Sequence, residues 1–386
     1  MSKPAKRPAF TLFFPLAALL ASLAVPLSIW AVLSGSGWPA GLIGSGHGFE
    51  LIFGFALALI AGYTLGPQPV RVLYPLIGLW LAARLLRIPF PDNFVSLLLP
   101  IAFALLLAWR VVPRFSAAKQ WRNRTTAPLI LTLCLLPALA AILLLVWRLS
   151  PALASAIRLD YPRLMHAGVL CLLLLMCFIG GRVMAPAAAI TLEKRGIELK
   201  ARLQPKMEGV LIVLLGLAIT ALLMPGLPRQ YSYPVAGVLL ITAGGVLAIR
   251  ALRWQLWKCG ARPDLLAFGI GYAWLALGSV ISGIAFVSKQ HPTAALHLIT
   301  VGGLGTLSSS VMLRLYFQRA SKTPPPNGWV IGITGLIAVA SVTRYLCGAT
   351  PFAQPGLLSL SAASWSLAYL LLTVLMLRLN RGRPTS

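Results

Sequence analysis

SGHGFELIFGFALALIAG, residues Ser45 to Gly62, decides how the rest of the chain is read. Its apolar content is that of a membrane-spanning helix, yet it opens with His47 and carries Glu50 one turn later. Side chains three apart share a helix face, so the spacing predicts an imidazole and a carboxylate pointing the same way. An ionisable group inside a span is costly and marks a candidate functional site. The chain has only seven acidic residues, and one of them lies here.

Apolar runs of the same kind recur on both sides of this stretch. Of 386 residues, 59% are hydrophobic and only 10% charged, which excludes a soluble domain of this length. Runs of about 20 apolar residues cross a bilayer as helices, whereas a membrane β-barrel would alternate in shorter segments. The sequence therefore predicts an all-α polytopic helical membrane protein with about twelve transmembrane helices. These form a single transmembrane domain over 1–386. The expected limits are about 11–33, 46–65, 70–88, 94–112, 127–149, 163–184, 209–225, 233–252, 264–288, 293–315, 328–346 and 357–378. Met224-Pro225-Gly226 reads as the turn that closes the short seventh run. Residues 185–208 read as the longest polar cytoplasmic loop, and 379–386 as a basic cytoplasmic tail. Thr323-Pro324-Pro325-Pro326-Asn327 reads as a stiff linker.

Charge sets the orientation. Lys and Arg number 33, for a formal charge of +26. Basic residues concentrate in cytoplasmic connections. With the N-terminus inside, the inner connections hold Arg110, Arg114, Lys119, Lys194, Lys200, Arg250, Lys258, Arg314 and Arg378, among others. The outer side keeps Arg84, Arg148, Arg229, Arg344 and a few more, a split of roughly 25 to 8. Both termini are thus expected in the cytoplasm. No aromatic-basic motif accompanies the charge, so nucleic acid is not an expected partner. Lys3, Lys6 and Arg7 precede an apolar run that continues to Leu33, too long for a signal peptide, and the run reads as the first anchor. Cys134, Cys171, Cys177, Cys259 and Cys347 are scattered without a CxxC and read as small core residues.

The four histidines are His47, His166, His291 and His297. This topology puts all of them on the outer side. Neutral imidazole is a common ligand of transition metals and of haem iron. His47, His166 and His297 enter three different spans at similar depth, and are the candidate metal ligands of one pocket. His291, in a connection before Pro292, reads as a surface residue. Glu50 has three readings: an acceptor that orients an imidazole, a proton carrier, or the partner of a basic side chain. Asp92 and Asp160 read as loop charges. Gly302, Gly303 and Gly305 allow close helix approach, which is also what a flat cofactor beside a helix would need. Arg182, in IGGRVMAP, reads as a snorkelling arginine or the partner of a propionate or phosphate.

Three stretches together resemble a known family. HGFELIFGFALALIAGYTL resembles the NnrS-family signature HxHEMxFGFxxAxIxGFLLT. His166 followed by GGRVMAP resembles that family's His with GGRVIPxF, and ALHLITVGGLGTLSSSVMLRL resembles its ALHxLTVGAxGTMxLxVMxR. The matches keep their order across roughly 45–315. The resemblance implies a haem- and copper-containing protein of the bacterial inner membrane, linked to nitric oxide metabolism and resistance to nitrosative stress. Motif positions fall on His47, Glu50, Gly54, His166, Gly181, Arg182, His297, Gly302, Gly305, Met312 and Arg314. The resemblance implies haem on His47 and His297, with His166 as a third ligand or proton partner, and nitric oxide as the small-molecule ligand. Two features depart from the family. Phe49 stands where the signature has its second histidine, and YFQRASKT follows the tenth run where relatives have a GHTGR-like segment. Copper is accordingly short of ligands. A metal-free secondary transporter, with Gly/Pro-interrupted helices, is the competing reading; an assembly factor using its basic loops is a third.

Overall fold

The computed structural model describes residues 6–320 and 322–381. Each run expected to span is a helix. They are α1 (Phe10–Leu33), α2 (Ser45–Thr64), α3 (Val70–Arg87), α4 (Phe94–Ser116), α5 (Thr126–Leu149) and α6 (Tyr161–Glu193). Then come α7 (Pro205–Leu223), α8 (Arg229–Arg253), α9 (Pro263–Val287), α10 (Thr293–Arg319), α11 (Asn327–Leu346) and α12 (Pro355–Arg381). Among the described residues, eleven of these are long and apolar enough to cross a membrane. The exception is α3, whose 18 residues include Arg71, Arg84 and Arg87. Leu23, Leu145, Val213, Val238, Ile284 and Ile331 are exposed along the helix sides. A surface of that kind suits acyl chains and not water. The protein is a multi-pass membrane protein.

The loop expected at 185–208 is shorter than the sequence suggested. Helix α6 runs through Pro186 to Glu193, because Ala187, Ala188 and Ala189 are good helix formers with a buried face. The polar connection is reduced to 194–204. The tail expected at 379–386 begins inside α12, and 382–386 lie outside the described residues. One small departure from an all-helical fold occurs: Lys6–Pro8 (β1) pairs antiparallel with Pro67–Pro69 (β2), Arg7 opposite Gln68.

The packing groups the chain into two compact units. The first takes α1 to α5, residues 160–168 at the start of α6, and the end of α12 from Tyr369. Its helices meet through aromatic and small residues. A Cβ on Gly62 would lie 2.6 Å from the Phe14 ring, and Phe55 meets Tyr369 edge-on at 5.3 Å. Asn380 Nδ2 donates to the Thr11 carbonyl at 2.8 Å. The second unit takes 156–159 and 169–368. Its tightest crossing is α8 on α9, where a Cβ on Gly283 would sit 2.6 Å from the Gly237 carbonyl oxygen. Backbones approach this closely only where both sides lack a side chain.

Among the described residues, two helices change pitch. In α2 the α-helical Ser45–Phe49 gives way to a π-helix over Glu50–Ala56, and the α pitch resumes at Leu57. In α10 Thr293–His297 is followed by a π-helix over Leu298–Leu304. π segments are rare, and they gather at functional sites. In both units the π segment begins within three residues of a candidate histidine.

Candidate functional site

Glu50 opens the first π segment and is fully buried. Its carboxylate meets two guanidiniums from the last turn of α3: Arg84 Nε at 2.8 Å and Arg87 Nε at 3.2 Å. Both arginines are more than nine-tenths buried. A buried ion still costs several kcal/mol after relaxation, so aromatic faces and polar atoms surround the trio. Arg87 lies 3.8 Å above the Phe49 ring and Arg84 5.5 Å from the Trp80 ring centre. Tyr161, the first residue of α6, hydrogen-bonds Arg87 through its hydroxyl. Trp80 Nε1 in turn donates to the Gly54 carbonyl at 2.9 Å, within the π segment. Gly54 is glycine for space: a Cβ there would lie 2.9 Å from Glu50 Oε2 and 3.0 Å from Leu20 Cδ2.

Of the three readings of Glu50, the ion pair with basic side chains is the one observed. One negative charge faces two positive charges, leaving the buried group with a net positive charge.

The candidate histidines fall in both units. His47 sits half-buried in the short α turn ahead of Glu50. His166 is half-buried on the stretch of α6 between Tyr161, bound to Arg87, and Gly168, which packs on Ile52 and Leu136. The first unit thus holds His47, Glu50 and His166. His297 is in the second unit, half-buried, with Nδ1 2.6 Å from the Thr293 carbonyl oxygen. A carbonyl only accepts, so Nδ1 carries a proton and the neutral ring keeps its lone pair on Nε2. His291 is exposed, as its loop position predicts. Among the described residues, no three His, Cys, Asp or Glu side chains form a metal-holding group. Haem iron needs only one or two imidazoles.

Several other motif residues have structural work. Trp274, Leu275 and Trp365 pack over Gly302, Gly303 and Gly305, so those glycines serve close helix packing. A Cβ on Gly181 would lie 2.8 Å from Arg250 Nη2. That buried arginine pairs with Glu208 at 2.6 Å, and its Nη1 donates to the Cys177 carbonyl at 3.0 Å. Arg314 Nη1 reaches Asp264 at 3.1 Å, beside the forked Arg262–Asp264 pair at 2.8 Å. The hydrogen bond that its guanidinium donates to Asp264 holds Arg262 above its ordinary value, with burial acting the other way. Arg182 lies over the Phe178 ring at 5.5 Å. Asp92 makes an exposed ion pair with Arg148, and the Asp160 side chain accepts from the Arg163 N–H at the start of α6. All five cysteines are buried and free.

Arg84, Arg87 and Tyr161 went unseen as site residues in the sequence. Their distance from Glu50 along the chain hides the pairing. The one available signal was two arginines at the apolar end of a span, on the side where basic residues are scarce. A family model described as NnrS protein matches residues 5–381. No curated protein matches the chain.

Proposed function

The chain belongs to the NnrS family over nearly its whole length, and from that premise we propose that it binds haem through histidine and takes nitric oxide as its ligand. His47 and His297 are the proposed iron ligands, and His166 is a third ligand or a proton partner. The observation that carries this reading is the Nδ1 contact of His297 with the Thr293 carbonyl. A hydrogen bond of this kind fixes the tautomer and raises the basicity of the other ring nitrogen, as it does in metal-ligating histidines generally. Bound haem would supply an iron centre able to bind a diatomic gas. The chain's own part is to orient the imidazoles, exclude water and hold a proton at His166. Nitric oxide is small and apolar enough to arrive through lipid, so no polar channel is needed.

The same reading gives the protein a place in the bacterial inner membrane and a role in nitric oxide metabolism or resistance to nitrosative stress. Copper fits less well. The position of the family's second histidine is filled by Phe49, whose ring lies under Arg87.

Absorption spectroscopy of protein purified in mild detergent tests the proposal. A Soret band is expected, weakened in His47→Ala and His297→Ala and shifted by nitric oxide. A colourless, well-folded preparation would overturn it and favour a metal-free transporter.

A further inference from the structure

We propose that one end of the first unit is a docking surface for anionic phospholipid, whose phosphates balance a cluster of arginines that the unit's own acids do not reach. Hydrogen bonds gather the residues of this end. Arg114, in the last turn of α4, donates through Nη1 to the Leu65 carbonyl at 2.7 Å, just past α2. Arg7 in β1 donates through Nη1 to the Tyr74 hydroxyl at 3.1 Å, near the start of α3. Arg124 Nε donates to the Ala118 carbonyl at 2.9 Å, in the connection between α4 and α5. Arg110 lies 4.9 Å from the centre of the Trp109 ring. Each of these partners is neutral, so four guanidinium charges stand uncompensated. Arg71 and Lys119 add exposed charge at the same end.

The acids of this unit are Glu50, Asp92 and Asp160, and they stand at the opposite end. Glu50 is paired with the last turn of α3, Asp92 lies in the connection that follows it, and Asp160 precedes Tyr161, which bonds Arg87. The 18 residues of α3 put about 27 Å between its two ends. At about 0.1 M salt, exposed charges are screened beyond about 10 Å, so these carboxylates leave the arginine end untouched. The side chains between the arginines select lipid among possible anions. Trp109 is 66% exposed, and Trp121 and Tyr74 are exposed with it. Leu105 and Leu106, exposed one turn back along α4, continue the surface into the acyl region. Indole and phenol rings settle at headgroup level, and basic residues flanking a span attract anionic lipid. A soluble anion would answer the charge and leave the rings in water. Nothing in this depends on metal binding by the histidines.

The test reconstitutes the full-length protein in vesicles of equal parts phosphatidylcholine and phosphatidylglycerol, with brominated acyl chains on one lipid or the other. Bromine quenches tryptophan on contact, so Trp109 and Trp121 report which lipid lies beside them. Brominated phosphatidylglycerol is expected to quench more strongly, with a local preference of about fivefold. Replacing both reporters, Trp109→Phe with Trp121→Phe, should remove most of the difference between the lipids. Arg110→Gln, Arg114→Gln and Arg124→Gln combined should bring the preference close to one. Lys200→Gln, Arg202→Gln and Lys206→Gln, an equal loss of charge from the second unit, should leave it unchanged. Should the arginine variant fail to fold, added salt makes the same test on the wild type: the preference should fall as salt screens the arginines. Equal quenching by the two lipids in the wild type would overturn the proposal and leave an acidic protein face as the partner. So would a preference that persists in a folded arginine variant, that resists salt, or that vanishes equally in the second-unit variant.

Discussion

Phe49 stands where the family signature resembled in the sequence has a histidine, and it has a local role. In place of an imidazole it offers Arg87 a ring face at 3.8 Å and packs edge-on against Phe53 at 4.9 Å. Restoring the family residue with Phe49→His should raise metal bound per protein, read by elemental analysis, if that position ligates in relatives. It should also lower Tm, since an imidazole is a poorer cation–π partner than a phenyl ring beside buried charge. Gly54→Ala forces a methyl group against Glu50 and Leu20. Overpacking of this kind costs about 1–3 kcal/mol, and a lowered Tm with unchanged helicity is the expected result. Cys259 titrates outside the spans. Burial raises its thiol pKa despite Arg195 and Arg262 nearby. The folded thiol therefore keeps its proton to higher pH than the unfolded one. The stability it contributes is full below the ordinary thiol value and lost as pH rises through the folded one. Maleimide labelling of the native protein at pH 7 should be slow at Cys259 and should quicken in denaturant.

At the scale of elements, the α8–α9 crossing is the most demanding contact in the second unit. Gly283→Leu must drive the two backbones apart, whereas Gly245→Ala, which meets nothing within 4 Å, should be silent. Detergent-stable yield of the two variants checks this: a strong loss for the first and none for the second. Trp80→Phe removes the indole donor to Gly54 and should cost about 1 kcal/mol, measurable by chemical unfolding. The helices were legible in the sequence because a membrane span is announced by hydropathy and length, and the limits fell within a few residues for most of them. The overrun of α6 was not legible, because Pro186 and the charges that follow it resemble a helix end. The π segments were not legible either. In an apolar run, no alternation of polar and apolar residues distinguishes 3.6 residues per turn from a wider winding. Glu50 was recognisable as a buried acid, but its partners on α3 were not. Which face of one span meets which face of another is settled by packing, and no local pattern in either helix records it.

For the whole molecule, orientation follows from the distribution of charge. The charge distribution predicts reporter activity on the cytoplasmic side for fusions in 194–204 and in the proline run before Asn327. It predicts the opposite side for a fusion at Gly226. A fusion at 194–204 reporting outside would move His166 and His47 to the other face. The two compact units are not legible in the sequence, since uniform hydropathy carries no mark of the boundary between them.

The first unit has one further property, visible in Asn380 reaching Thr11 and Tyr369 meeting Phe55. Helices from opposite ends of the described residues are neighbours here. While the ribosome is still adding residues, α1 to α5 wait in the bilayer with one wall missing. Nascent chains released before Tyr369 should therefore be cleared by membrane proteases, and α12 supplied as a separate peptide should rescue them.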